Sequence, residues 1–203
     1  MDEMVLIQDA IQGDLNAFNR LILVYQEMAF NVAYRLLSDE DSAEDITQTA
    51  FISAYKNLNG FRGGSFKAWL MRIVTNACYD ELRRIKRHPT IPLEPIDDDT
   101  EEEIESPTWL ADGSASPEET VEQADLEHAV QHCLDNLPEE FKVVVVLIDV
   151  QGFDYDEVAK VVKRPLGTIK SRLARARLKL QDCLQQFWEL LPDRFRLDDE
   201  VSE

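Results

Sequence analysis

Apolar residues recur along the first third of the chain at close to helical spacing. Phe18, Leu21, Ile22, Tyr25, Met28, Ala29, Val32, Ala33 and Leu36 share one side of a helical wheel. A second helix is predicted to open at Ser42, which has Asp45 three residues on in the manner of a capping box, and to reach about Leu58. Asn59-Gly60 and Gly63-Gly64 bracket a loop. Ser65 then starts a helix to about Lys86, where His88-Pro89 stops it. The periodic pattern resumes with a helix over 117–136. Pro138 fits the first turn of another helix, reaching about Val150, and Gln151-Gly152 turns the chain. A short helix over 155–162, a turn over 163–167 and a helix over 168–190 complete the pattern. Gly and Pro are missing from the long apolar runs, which favours helix over strand. The fold class predicted is all-α. Two small helical domains, a bundle over 1–90 and a helix-turn-helix over 121–190, flank a linker over 91–120, and a tail occupies 191–203.

The 203 residues carry a formal charge of −19, which argues against nucleic acid if taken as an average. The distribution reverses that reading. Net charge is −2 over 1–90, −12 over 91–124, −2 over 125–191 and −3 over 192–203. The acidic segment holds four prolines, two acid triplets and little apolar surface, so its burial cannot offset the entropy of ordering it. Elsewhere the basic residues cluster: 158–181 has eight Lys and Arg and no acid, and Arg83, Arg84, Lys86 and Arg87 form a second group. Nucleic-acid contact depends on such local fields.

Three constellations follow. In the last helix Ile169, Leu173, Ala176 and Leu180 make an apolar stripe, while Ser171, Ala174, Arg175 and Leu178 lie opposite with Lys170 at their edge. A basic face of small residues suits the major groove: Lys170 and Arg175 for guanine edges, Ala174 for a thymine methyl. Thr168 sits where the helix N-terminus can hold a phosphate, and Arg172, Arg177 and Lys179 are placed for backbone charge. In the helix from Ser65, residues Arg72, Asn76, Tyr79, Arg83 and Lys86 point within about 40° of one direction, beside Phe61, Arg62, Phe66 and Trp69. Cations interleaved with aromatics suit single-stranded DNA, although Phe66 and Trp69 also fit a core. On the helix after Ser42, Asp45, Gln48, Thr49, Ile52 and Lys56 form a polar side with an exposed Ile, either a solvated face or a protein-binding one.

No catalytic site is apparent. HExxH, GxSxG and phosphate-loop patterns are missing, and the acid triplets lie in a segment that cannot fix their geometry. His128 and His132 read as surface residues rather than a metal pair. Neither cofactor nor metal is expected. Cys78, Cys133 and Cys183 are widely spaced, without a CxxC, and are expected to be reduced and buried. No signal peptide is apparent and no apolar run is long enough for a bilayer, so a cytoplasmic chain without membrane insertion is expected.

Three stretches resemble one family in order. Residues 45–51 (Asp-Ile-Thr-Gln-Thr-Ala-Phe), then 54–58 and 61–63, are similar to the polymerase-binding part of sigma factor region 2. Residues 66–73, with Asn76 and 80–84, resemble its promoter-melting part. Leu137-Pro138-Glu139-Glu140, residues 152–159 and 165–172 resemble region 4. Two helical domains and a linker resemble the extracytoplasmic-function (ECF) group. The resemblance implies that Asp45, Ile46, Gln48, Thr49, Phe51, Ile52, Tyr55 and Leu58 dock on the clamp helices of the RNA polymerase β′ subunit, with the β flap as a second contact. It implies −10 element binding by Phe61, Arg62, Gly63, Ser65, Phe66, Trp69, Arg72, Asn76, Arg83 and Arg84. It implies −35 element binding by Thr168, Lys170, Ser171, Arg172, Ala174, Arg175 and Arg177. The partners implied are core polymerase, promoter DNA and an anti-sigma factor, and the chain would not be an enzyme. Thr49 departs from the acidic residue usual there. The family's linker runs through the polymerase RNA channel, so an acidic one suggests a nucleic-acid mimic. The alternatives are a stand-alone helix-turn-helix regulator, which needs dimer symmetry and two half-sites, and a pure protein-interaction module.

Overall fold

A computed structural model describes residues 3–87 and 117–191. Residues 91–116 of the acidic segment fall outside the described residues, as does the tail beyond Leu191, while 117–124 belong to a helix. The described chain is helical throughout.

The N-terminal half contains α1 (Glu3–Ile11), α2 (Leu15–Leu37), α3 (Glu40–Asn57) and α4 (Phe66–Arg87). Asp14, in extended conformation, starts α2 by accepting hydrogen bonds from the Asn16 and Ala17 amides. The helix ends at Ser38, which takes the left-handed conformation and donates its amide to Tyr34. Ser42 is not the cap of α3. Asp39 is: its backbone is extended, and its carboxylate accepts the Ser42 amide at 2.8 Å. The left-handed Ser38 turns the chain early, so Ser42 already lies inside the first turn. Hydrogen bonds from Ser42 hold the Asp39 carboxyl below its ordinary pKa. Ser65 caps α4 as expected, accepting the Ala68 amide.

The C-terminal half contains α5 (Pro117–Asp135), α6 (Glu139–Val145), α7 (Tyr155–Val162) and α8 (Leu166–Leu184). The single helix expected from Pro138 to Val150 is interrupted. Val146–Val150 is a π turn, closed by the Gln151 amide on the Val146 carbonyl. Asp154 and Glu157 form a reciprocal capping box at the start of α7. Helix α8 begins at Leu166, earlier than expected, and gives way to a 3-10 stretch over Gln185–Leu190.

Close packing in the first half depends on small residues. Ala29, Val32, Ala33, Ala43, Ala50 and Ala54 have no solvent exposure, letting α2 and α3 approach closely. In the second half Val143, Val144, Val146 and Leu147 are buried against Ile169, Leu173 and Ala176 of α8. The two halves also pack on one another, α4 against α7 and α2 against α5 and α6.

Polar contacts hold that junction. Lys142, 7% exposed, donates to the Leu36 carbonyl at 3.0 Å, the Ser38 hydroxyl at 3.3 Å and Asp135 at 2.6 Å. Burial opposes ionisation of Asp135, but bonds from Lys142, Ser38 and Gln131 outweigh it and hold the carboxyl below its ordinary value. Arg35 donates to Gln131 at 3.0 Å, and Gln131 in turn donates to Ser38.

The cysteines divide. Cys78 is a buried free thiol, pushed up to about 12 by burial. Cys133 and Cys183 are joined by a disulfide, which corrects the expectation of three reduced thiols. Helices α5 and α8 bring the two Cα atoms to 5.7 Å, a separation that permits a bridge and that a sequence separation of 50 does not reveal.

Candidate nucleic-acid interface

The last helix supplies the most regular surface. Ile169, Leu173 and Ala176 are fully or almost fully buried and seat α8 on α6 and α7. Their burial leaves Lys170, Ser171, Ala174, Arg175 and Leu178 exposed along the other side, with Leu178 at 61%. Lys170 lies near the Tyr155 ring, 5.9 Å from its centroid, and no carboxylate among the described residues pairs with Arg175. Thr168 sits in the first turn after Pro165, partly buried. Arg172 and Arg177 are placed differently. Arg172 pairs with Glu140 of α6 and its side chain is 16% exposed, whereas Arg177 grips Asp149 through two bonds of 3.0 and 2.6 Å. Both brace α8 from its flanks, which the run of basic residues alone does not separate from the open cations.

The second surface lies at the start of α4. Phe61, Phe66 and Trp69 are mutual neighbours, with ring centroids 5.4 to 5.6 Å apart, and Tyr25 adjoins Phe66. Phe61 and Phe66 are buried and Trp69 is partly so. The rings therefore shape a platform more than they present stacking faces. Gly63 and Gly64 both take positive φ, about 90°, which lets the loop reverse above the cluster without strain. Arg62 and Asn76 are exposed and Arg72 is partly exposed. Arg83 pairs with Asp80 at 2.9 Å and Arg84 makes two bonds to Glu81, each three residues back on the helix. Such exposed pairs are weak and give way readily to a phosphate.

This surface abuts the C-terminal half. The Ser65 hydroxyl donates to Glu157 of α7 at 2.8 Å, and the Lys67 ammonium sits 3.8 Å from the centroid of the Phe153 ring. Lys86 pairs with Glu139. Glu157 thus serves both the α7 capping box and the loop before α4. Sequence reasoning does not assign Lys67, Phe153 or Glu157 this role, because each is ordinary within its own helix.

The third surface is a groove of about 890 Å³ between α2 and α3. Gln48, Phe51, Ile52 and Tyr55 line it from α3, and Phe18, Ile22 and Phe30 from α2. The Phe18 and Tyr55 rings meet at 5.0 Å. Ile52 is 51% exposed in the groove, whose far end on α3 carries the acids Glu40 and Glu44. Asp45, Ile46 and Thr49 do not line the groove, and Leu58 is buried in the core. The α2 wall escapes the sequence reading, since Ile22 belongs to the same apolar stripe as true core residues.

Among the described residues no group of three metal-ligating side chains converges, and no helix is long and apolar enough to cross a membrane. The groove and α4 lie within residues 21–88, save the groove's first residues. That stretch matches the family model of sigma-70 region 2, and residues 127–180 match that of sigma-70 region 4. The RNA polymerase sigma-H factor of Pseudomonas aeruginosa is 34% identical over 89% of this chain and 92% of its own length. The ECF RNA polymerase sigma-E factor of Haemophilus influenzae is 33% identical over 91% of this chain and 96% of its own length. Among solved structures, the sigma factor RpoE in complex with the anti-sigma factor NepR from Bartonella quintana is 25% identical. It has a TM-score of 0.62, over 84% of this chain and 98% of that one. CnrH, in complex with the cytosolic domain of CnrY, shares the fold at a TM-score of 0.64 and 24% identity, over 90% and 96% of the two chains.

Proposed function

The chain belongs to the sigma-70 family as an ECF sigma factor, a promoter-specificity subunit of RNA polymerase, and we propose how its surfaces divide that work. As such a subunit it directs polymerase to −35 and −10 promoter elements and assists melting. Phosphoryl transfer belongs to the polymerase, so the chain itself is not an enzyme. It acts beside polymerase in the cytoplasm.

Region 4, over 121–190, reads the −35 element through α8. The supporting observation is the exposed line of Lys170, Ser171, Ala174 and Arg175 on a buried seat. Arg175 and Lys170 reach guanine edges, Ala174 meets a thymine methyl, and Thr168 faces a phosphate. Arg172 and Arg177 act by bracing α8 through Glu140 and Asp149. Region 2, over 1–90, holds the −10 element. Asn76 and the loop from Phe61 to Phe66 take a flipped base, with Arg62, Arg72, Arg83 and Arg84 along the melted strand. The groove between α2 and α3 receives the β′ clamp helices, and the β flap contacts region 4. The acidic segment 91–120 follows the RNA channel as a charge mimic.

The two elements lie on the order of 80 Å apart at about 3.4 Å per base pair. The halves must therefore part for both to engage, breaking the Ser65–Glu157 and Lys86–Glu139 contacts. An anti-sigma factor is the expected restraint, as the RpoE structure carries one. Sigma-factor relatives across nine-tenths of the chain disfavour a stand-alone regulator. Run-off transcription with core polymerase on a random-promoter library tests the assignment. Conserved −35 and −10 motifs among the transcribed templates support it. Tight specific binding by the free protein, with no polymerase-dependent transcription, overturns it.

A further inference from the structure

The disulfide of region 4 joins α5 and α8, two packed helices that share no ion pair with each other among the described residues. Helix α5 is tied to the end of α2 through Gln131 and Asp135, which meet Arg35 and Ser38, and to α6 through the Asp135–Lys142 pair. The ion pairs of α8 use other side chains, Arg172 pairing with Glu140 of α6 and Arg177 with Asp149 of the π turn. What α5 offers α8 and the 3-10 stretch after it is apolar packing, the edge of His132 on the Phe187 ring, and the Cys133–Cys183 bond. The two sulfurs differ in access. Cys133 is 1% exposed inside α5, while Cys183 lies partly exposed in the last turn of α8. The third cysteine, Cys78, is fully buried in α4 and stands outside this pair.

We propose that Cys133 and Cys183 form a thiol–disulfide exchange site that sets how firmly α8 is held for −35 recognition, the bonded form being the competent one. The ligand class is a dithiol in the opening direction and a disulfide in the closing one. A dithiol thiolate attacks the accessible Cys183 sulfur, the bond to Cys133 breaks, and the electron pair leaves on the Cys133 sulfur, which takes up a proton. The second thiolate of the reductant then attacks its own sulfur in the mixed disulfide and expels the Cys183 thiolate, which is protonated in turn. The pair gains two electrons and two protons, and the reductant leaves as a disulfide. Attack by a disulfide-bearing oxidant reverses the sequence. Opening removes the one covalent tie between α5 and α8. Ile169, Leu173 and Ala176 keep the front of α8 seated, but its last turns lose their fixed partner. The consequence for transcription rests on reading α8 as the −35 element reader; the exchange itself does not.

The test uses the full chain with core polymerase, equilibrated in graded reduced and oxidised dithiothreitol. Thiols are counted by alkylation and mass, and run-off transcription is compared on a duplex promoter and on a pre-melted −10 template lacking a −35 duplex. Two thiols are expected to appear together, and duplex transcription to fall roughly fivefold on reduction while the pre-melted template is unaffected. Cys183→Ser is expected to stay at the low duplex level in both redox states. Wild type carries the test even if that variant folds poorly, because reduction and reoxidation in one sample must lower and restore the ratio. A pair that never opens, or opens with no change in the ratio, overturns the proposal. A chain that exchanges the pair yet transcribes the duplex promoter equally well when its −35 sequence is scrambled supports the exchange site and overturns the reading of α8.

Discussion

Lys142 and Asp135 show how a single pair decides pH behaviour. The ammonium is nearly sealed from solvent, while the carboxylate is 39% exposed. The Asp135 pKa is depressed in the folded chain, so its contribution is present above the unfolded carboxylate value and is lost as pH falls through the folded one. Chemical denaturation across pH is expected to show a plateau above about pH 5 and a decline below about pH 4, flattened in Asp135→Asn. Asp135→Ala should cost about 2 kcal/mol, less than a sealed pair would, because solvent screens Asp135 and Lys142 keeps two oxygen partners. At the reading face, Arg175→Ala is expected to lose about 1–3 kcal/mol at one −35 base pair and to relax preference there alone. Selection from a promoter library measures this. A uniform loss across sequences would assign Arg175 to phosphate instead.

Among elements, α7 owes its placement to its N-terminal cap and α8 to braces along its length. Asp154 fixes the start of α7, and Asp154→Ala should lower stability by about 1 kcal/mol in thermal melts. Helix α8 is braced at three points along its length: Glu140 at Arg172, Asp149 at Arg177 and Cys133 at Cys183. The two ion pairs are each half-open to solvent, which screens them and keeps their contributions small. The disulfide, closing a loop of 50 residues, contributes up to about 4 kcal/mol by the chain-entropy estimate. Denaturation of Cys133→Ser/Cys183→Ser should therefore show a larger loss than denaturation of Asp149→Ala. The π turn matters for the same reason. Its extra residue per turn sets the direction of Asp149 toward Arg177.

At the scale of the whole molecule, region 2 and region 4, the two proposed promoter readers, are folded against each other. The polar contacts include one hydroxyl on Glu157, one cation on an aromatic ring, the Lys86–Glu139 pair, the Arg35–Gln131 bond and the Lys142 node, beside apolar packing of α4 on α7. Glu157→Ala with Glu139→Ala is expected to shift the free chain toward separated halves. A rise in radius of gyration by X-ray scattering, with each half still helical, is the expected outcome. An unchanged radius would mean that the Lys142 node and apolar packing suffice. The charge distribution acts at this scale too. More than half of the excess acid lies at 91–124, which leaves both readers close to neutral and their basic faces effective.

Helical periodicity made most elements legible, since burial of one face in every turn writes itself into local sequence. The loop at Asn59-Gly60 and Gly63-Gly64, the Ser65 cap and the Gly152 turn were legible from the local preferences of Gly, Asn and Ser, and the exposed line from Lys170 to Arg175 from helical spacing. The resemblance of ordered motifs then identified the family. What local pattern cannot carry is the meeting of distant residues. Ser42 lost the cap of α3 to Asp39 because the left-handed Ser38 set an earlier turn. Arg172 and Arg177 became braces because Glu140 and Asp149 arrive from α6 and the π turn. Cys133 and Cys183 met because α5 and α8 cross there, and Ser65 found Glu157 because the halves pack. The sequence by itself determined which helices form and which faces they bury, through propensity and hydrophobic spacing. Tertiary packing alone decided which cations stay open, which thiols join and how the two readers face each other. Those outcomes depend on distances between residues tens of positions apart.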